Sequence, residues 1–525
     1  MPETEFNLLE EPWIIAIDLE GGTESYSLID IFTKAHMLKS LAGEMPAQDV
    51  AIMRLLLAIL YSVYPYVDDD GVPLPADLDV IQFWNDLWSR GVFCIDTISN
   101  YLAKFHDKFW LFHPERPFWQ VSGMKNGTSY KASKLQGEMS ESNNKIRLFQ
   151  NRSGEAKTGL VYSEAARWLL YLNAFDDNAS KQSKETKKKL PSPHAGWLGR
   201  LGIIYAAGKN LFETLMLNFI LVNDNDVRWE TGGAVWELER PRIAERVAIQ
   251  IPKSQAELLT LQSRRIILER ANGLVTGYKL LGGDFFENEN AFEEQMTLWK
   301  KDKKRDDIYV PKRHDPARQL WRDFASLLAK NDGARMPGLI FWLSRLENRK
   351  LISTRNVFIN TASVQYADKD FNINDTFSDS LSINAGFLVE LGESWIIRIN
   401  NEINAIDKMV GALGWFASDL AEASGDKSGG ASIRKEAREN AYYTLDEPFR
   451  IWLSGIKPQT DDIDVMCDDI RETASGIIRD IGSDLVASSG SQAFVGNRSS
   501  SSAELKTSPL AYIKFLNILN KITFG

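Results

Sequence analysis

Beyond about residue 380 the apolar residues fall into a helical period and keep it for most of the remaining chain. Between 463 and 485, Met466, Ile470, Ala474, Ile477, Ile481 and Leu485 step by 4, 4, 3, 4 and 4 residues. Side chains three and four apart share one face of an α-helix, so the run predicts an amphipathic helix. Ile513, Phe515, Ile518, Leu519 and Ile522 mark another. SGDKSGGAS (424–432) and SSGSQAFVGNRSSSS (488–502) interrupt the pattern as Gly/Ser connections. Helices are predicted at about 380–423, 432–455, 461–487 and 503–523, and four apolar stripes buried together make a four-helix bundle.

The preceding residues have a mixed texture. NLLEEPWIIAI (7–17) reads as a strand, with GGTESYSLI as turn and partner. MPAQDVAIMRLLLAILYSV (45–63) reads as a helix with Val50, Met53, Leu57 and Leu60 on one apolar face. DLDVIQFWNDLWSRGVF (77–93) is a helix closed by Gly91, and SEAARWLLYLNAF (163–175) one with Ser163 as N-cap. GKNLFETLMLNFILV (208–222) returns to helix. Short strand-like runs follow, among them ELLTLQSRRIIL, NGLVTGYKLLGG and NVFINTASVQYADKDFNIN. The fold class expected is α+β, with a large mixed N-terminal domain over 1–378 and a C-terminal four-helix bundle over 379–525.

Net charge is −10, whereas a chain that held DNA alone would be basic overall. Contact with nucleic acid would have to come through local patches. Residues 181–189 carry five Lys and one Glu, and residues 300–313 carry seven basic and three acidic residues. Arg345, Arg349, Lys350 and Arg355 make a third patch. Lysines that displace condensed counterions from a duplex bind phosphates in a salt-dependent way; a solvated charged loop is the plainer alternative. Two cysteines, Cys94 and Cys467, build neither a disulfide framework nor a Cys-rich zinc site, which fits a cytoplasmic location. No signal peptide is visible, and no apolar run reaches the roughly 20 residues that span a bilayer, so no membrane partner is expected.

The five His make no H-x-x-x-H pair, and Walker A, G-x-S-x-G and G-x-G-x-x-G motifs are absent. DDIDVMCDD (461–469) is an acidic run at a helix start, where the macrodipole favours carboxylates; a two-metal nuclease site is the alternative. LFHPERPFWQ (111–120) places His113 and Arg116 among aromatics, and Pro114 and Pro117 stiffen the backbone. It reads as a structural corner.

Taken in order, FNLLEEPWI, SLIDIF, RLLLAIL, FWLFHPERPFWQ, EAARWLLYL, NLFETLMLN, LLTLQSRRI and MTLWKKDKKRDDIYVPKRHDPARQLWRDF resemble the CasA family, the large subunit of the type I-E CRISPR Cascade surveillance complex. AYYTLDEPFRIWL (441–453) resembles part of that family's C-terminal bundle. The resemblance implies a binding protein without catalysis, cofactor or metal. Its implied partners are other Cascade subunits, the crRNA 5′ handle, double-stranded target DNA with its displaced strand, and a recruited helicase-nuclease that does the cutting. Such a subunit touches the protospacer-adjacent motif (PAM) from the minor groove, where the base code is degenerate, and helps open the duplex. Guide pairing reads the rest.

Carried onto this sequence, the family's Phe-x-Asn loop near the RNA handle and PAM matches Phe149, Gln150 and Asn151. Its Gly-rich PAM loop falls on KKKLPSPHAGWLG, which has few glycines and offers Lys187, Lys188, Lys189 and Ser192 instead. The lysine finger matches Lys279, and the wedge hairpin Gln365, Tyr366 and Lys369. Lys300 and Lys301 are placed on the displaced strand, and Lys303 and Lys304 beside them, with Arg434, Lys435 and Arg438 of the bundle, are expected to bind DNA backbone. The alternatives are a metal-dependent nucleic-acid enzyme and a helical scaffold unrelated to nucleic acid.

Overall fold

The computed structural model describes residues 3–64, 79–137, 152–178, 194–328, 335–352, 356–426, 430–498 and 505–525. The chain forms two compact units. The first holds Met1–Arg318, Lys330–Leu351 and Phe358–Ser380; the second holds Gln319–Ala329, Ile352–Val357 and Leu381–Gly525.

In the first unit the helix Pro46–Val63 is the centre of the core. Pro46 stands at its first turn, where a missing N–H costs nothing. The sequence predicts one apolar face, but nearly every residue from Ala47 to Val63 is buried. Helices Tyr162–Phe175, Gln255–Leu259, Ile95–Ala103 and Leu211–Leu217 pack around it, so no side is left for water. Each Leu or Ile enclosed this way contributes roughly 1.5–3 kcal/mol. Its length and hydropathy would suit a bilayer, yet it is enclosed by protein. Its one guanidinium, Arg54, is 2% exposed and donates two hydrogen bonds, 2.9 and 2.8 Å, to Glu294, which is 1% exposed. The indole Nε1 of Trp197 donates to the same carboxylate at 2.8 Å.

Among the described residues three antiparallel three-stranded sheets pack against the helices around Pro46–Val63. Ile14–Asp18 lies between Thr23–Tyr26 and Leu38–Leu41, with Gly21 supplying the left-handed turn at φ +95°. Leu274–Gly282 lies between Thr128–Lys131 and Arg264–Ala271. The turn into it is Asn272-Gly273, both at positive φ, the pair that two-residue hairpins favour. Asn356–Tyr366 lies between Ile373–Asn384 and Tyr205–Ala207. Some expected helices are shorter: 208–222 contributes only Leu211–Leu217, and ELLTL is the helix Gln255–Leu259, not strand. Ser163 does not cap its helix, because the first turn starts at Tyr162 after Val161.

The Pro-rich corner is structural. Phe109 and Leu111 are wholly buried, and Phe109 stacks on Phe118 at 5.4 Å. The His113 Nδ1 accepts from the backbone N–H of Glu115 and Arg116, which commits the imidazole to closing the turn. Val121 N–H donates to Ile266 O at 2.9 Å and hooks the corner onto the Arg264–Ala271 strand.

In the second unit Glu393–Ala423 packs on Gly430–Gly455, Ile463–Ser488 and Ser508–Phe524, giving the four-helix bundle. The first helix begins at Glu393, not near 380, because Leu381 and Ile383 alternate with polar residues and extend the strand to Asn384. The buried stripe of the third helix is Cys467, Ile470, Ala474, Ser475, Ile478 and Gly482, so Met466, Ile477, Ile481 and Leu485 only flank it. At Gly482 a Cβ would stand 2.6 Å from Cε1 of Phe515, so the ring occupies the space a side chain would need. In the last helix Phe515 and Leu519 are buried, with Ala511 and Thr523, while Ile513 and Ile518 are exposed. The acidic run opens the third helix: Asp462 caps Asp464 and Val465 N–H, and Asp464 pairs with Arg398 at 2.7 Å.

The buried pair and the close approach of Phe515 to Gly482 each set a stability that can be measured. Glu294→Ala leaves a buried, unpaired guanidinium and lowers the unfolding free energy by about 3–5 kcal/mol in denaturant titrations; replacing Arg54 and Glu294 together by Met recovers most of it. Gly482→Ala crowds Phe515 and costs about 1–3 kcal/mol, with Phe515→Leu in the same chain relieving the clash.

Candidate nucleic-acid interface

The residues expected to form a wedge lie on a hairpin. Strand Asn356–Tyr366 turns through Asp368–Asp370 into Ile373–Asn384. Lys369 and Asp370 both adopt left-handed backbone, φ +56° and +59°, and Ala367 N–H closes the turn on Asn372 O at 2.8 Å. Gln365 and Lys369 are exposed. Tyr366 is not: its hydroxyl donates to Phe175 O at 2.6 Å, and it lies so close to Gly199 that a Cβ there would overlap the hydroxyl. Burial drives its phenol pKa well above the ordinary value. Tyr366 therefore anchors the tip, and Gln365 and Lys369 are the members of the predicted wedge that face outward.

The lysine run lies on a second, shorter hairpin. Trp299–Lys301 pairs with Tyr309–Pro311, Lys300 opposite Val310 and Lys301 opposite Tyr309. Trp299 is 1% exposed and fixes the strand in the core, so Lys300 points to the other side and is exposed. The seven basic residues of 300–313 are not equivalent. Arg305 is held by Glu289 at 2.7 Å and by Asp302 at 3.2 Å, and Lys301 lies 3.4 Å from Asp306. Arg313 grips Asp370 with two bonds of 2.8 and 2.9 Å. Lys300, Lys303 and Lys304 have no ion-pair partner among the described residues.

The Arg313–Asp370 pair joins the two hairpins. Asn178 adds to it, its N–H donating to Asp370 O at 2.7 Å and its side chain to Lys369 O at 3.2 Å. Arg264, 1% exposed, holds Asp176 at 2.5 Å, Asp177 O at 3.1 Å and His194 O at 2.7 Å. Both chain ends that flank 179–193 thus converge on one buried guanidinium. Lys187, Lys188, Lys189 and Ser192 fall within 179–193, and Phe149, Gln150 and Asn151 within 138–151, both outside the described residues.

Two arginines that no sequence pattern singled out add charge here. Arg200 lies over the Trp197 ring at 5.5 Å and Arg246 over Phe285 at 4.0 Å. Burial, and then repulsion from Arg313 for one and Arg264 for the other, pushes each down to about 10. His194 is held below its ordinary value by burial and by the same two arginines. Such mutual repulsion marks a surface that an anion would relieve. Lys279, on the central strand Leu274–Gly282, is partly exposed and 3.8 Å from Glu269.

In the bundle the three predicted contacts separate. The stems of Arg434 and Arg438 cross Gly414, where a Cβ would meet them at 3.0 and 2.8 Å, and Arg434 stacks on Trp415 at 4.2 Å. Lys435 turns away, exposed and 3.6 Å from Glu439. Among the described residues no group of three or more His, Cys, Asp or Glu could hold a metal ion.

The fold, a mixed unit together with a helical bundle, is found in known proteins. The family described as CRISPR-associated protein Cse1 matches residues 7–481. The chain belongs to that family. A CRISPR-associated protein CasA/Cse1 of Thermus thermophilus is 28% identical over 334 residues, 62% of this chain and 61% of that relative, so the match spans about six-tenths of the relative's length. The crystal structure of Thermobifida fusca Cse1 superposes with TM-score 0.84 at 27% identity, covering 99% of this chain and 98% of that one. Cse1 from Acidimicrobium ferrooxidans shares the fold, with TM-score 0.81 at 24% identity, covering 100% and 99%. A chain of a CRISPR RNA-guided surveillance complex shares it at TM-score 0.62 and 16% identity, covering 93% and 100%.

The anchoring of the tip is testable. Tyr366→Phe removes one buried hydrogen bond, worth about 1 kcal/mol, and speeds amide exchange across 366–372 about fivefold in hydrogen–deuterium exchange mass spectrometry. Unaltered exchange would show that the tip is held without it.

Proposed function

We propose that the chain is the non-catalytic large subunit of a crRNA-guided type I-E Cascade complex that acts in the cytoplasm in antiviral defence. It binds the other Cascade subunits and the crRNA 5′ handle, reads the PAM in double-stranded DNA from the minor groove, and helps to open the duplex. It then holds the displaced strand and provides the docking surface for a helicase-nuclease.

The Arg313–Asp370 pair carries this reading, because it couples the hairpin bearing Gln365 and Lys369 to the strand bearing Lys300. A duplex that meets the tip then has cations beside it for the phosphates. Opening one base step costs a few kcal/mol, which new contacts to the separated strands offset. Guide pairing completes a nearly balanced exchange, so the protein need supply only nucleation and grip. Lysines suit the grip, being point charges on flexible stems that follow a backbone without reading bases. Family membership supports the assembly, and the Cse1 likeness extends over both units.

The test uses the full chain assembled with guide-loaded partner subunits. Charge reversal at Lys300, Lys303 and Lys304 lowers target affinity uniformly across PAM variants and flattens the log K against log salt slope by about 0.9 for each phosphate that is no longer neutralised. Replacing Gln365 and Lys369 alters PAM dependence instead. Target binding that is unchanged when the whole chain is left out would refute the reading.

A further inference from the structure

The Pro-rich corner frames a cavity that shares no residue with the interface described above. It is open to solvent and measures about 50 Å³, where one water needs about 10–15 Å³. That is room for one tetrahedral oxyanion and too little for a base. Lys108, Arg116 and Arg242 line it, and no acidic residue does. Phe118, Trp119 and Trp236 form the apolar wall.

The cations are only partly neutralised, by Glu237 near Lys108 and by Asp284 and Glu257 near Arg242. Lys108 Nζ donates to the backbone carbonyls of Trp236 at 2.5 Å and Leu238 at 3.1 Å, and Arg116 Nη2 to Glu239 O at 2.8 Å. Neither cation forms an ion pair among the described residues. Arg242 Nε lies 3.3 Å from Asp284 Oδ2, while Oδ1 of that carboxylate serves Arg265 at 2.5 Å; among the described residues neither Arg242 Nε nor Asp284 Oδ2 completes a hydrogen bond. Burial and the neighbouring Arg116 hold the Lys108 ammonium below its ordinary pKa, a cost an anion would remove. Trp119 is 7% exposed and Gln262 4%, and among the described residues neither the indole Nε1 nor the Gln262 Oε1 has a hydrogen-bond partner. Trp119 is also held in left-handed backbone at φ +58°. Such strain in a large residue costs about 1–3 kcal/mol and persists where surrounding structure imposes it.

We propose that Lys108, Arg116 and Arg242 form a subsite for a single phosphate group of a nucleic-acid backbone. Two guanidiniums and an ammonium around a pocket of this size match a tetrahedral oxyanion. The assignment to nucleic acid, rather than to free phosphate, rests on the function proposed above.

The experiment uses inorganic phosphate and a short single-stranded RNA with the full chain. Phosphate titrated by calorimetry binds wild type and the Lys300, Lys303 and Lys304 charge-reversal variant alike, and at least tenfold more weakly to Arg116→Gln and to Arg242→Gln. The RNA competes the phosphate out of wild type. Equal phosphate binding by the two arginine variants, or none by wild type, overturns the site. Phosphate binding that the RNA does not displace overturns the nucleic-acid assignment. Phosphate binding that follows this pattern while target DNA binding proves independent of the chain leaves the pocket standing and removes the proposed function instead.

Discussion

The first unit depends on one charge pair buried where no water reaches. Arg54 stands in a helix otherwise made for an apolar core, and Glu294 and Trp197 come to it from distant parts of the chain. Such a pair seldom adds much net stability compared with a hydrophobic replacement, because desolvation consumes most of the attraction. What it does is fix position. Only one arrangement of three segments satisfies the carboxylate, and a shifted one leaves a buried charge unpaired. Glu294 is three residues before Thr297, whose hydroxyl accepts from Gly202 N–H, and six before Lys300. Gly202 in turn lies so close to Lys312 that a Cβ would overlap its carbonyl oxygen. The lysine hairpin is therefore mounted a few residues beyond this buried pair.

The chain divides its cations by chemistry. Arginines do the internal work: Arg54, Arg167, Arg264 and Arg265 each hold a carboxylate with their planar forks. Lys134, 9% exposed and 2.6 Å from Asp177, is a buried exception, whereas Lys300, Lys303 and Lys304 face solvent. An acidic chain can thus present local positive charge, because its acidic residues neutralise arginines inside while the lysines outside keep their field. The density of basic residues between 300 and 313 exaggerates that field, since Arg305 and Arg313 are already spent on Glu289, Asp302 and Asp370.

What was legible in the sequence followed from local periodicity. The bundle and the central helix could be read because their apolar stripes lie within a few positions of one another, whereas the wedge hairpin came from the family resemblance and the strand pair around Lys300 was not read. Helix and stripe boundaries failed where a partner decides them. The third bundle helix is buried along Cys467 and Ile478 because Phe515 enters at Gly482, a contact no window around 482 contains. The role of Tyr366 was equally hidden: its acceptor, Phe175 O, is 191 residues away. A tyrosine in a hairpin looks like a wedge in sequence and becomes an anchor only when that carbonyl is brought beneath it.

The same non-locality explains why Arg264 and the Pro-rich corner matter more than their sequences suggest. Arg264 and Arg265 are neighbours on one strand and point to opposite faces. Arg264 gathers Asp176, Asp177 and His194 on one side, while Arg265 takes Asp284 on the other, beside Arg242. One strand terminus therefore sets the charge balance of two separate places, the hairpin interface and the cavity below the corner. Arg265 takes one oxygen of Asp284 at 2.5 Å, and the other lies 3.3 Å from Arg242 Nε without completing a hydrogen bond, so the second pair stays loose beside the cavity.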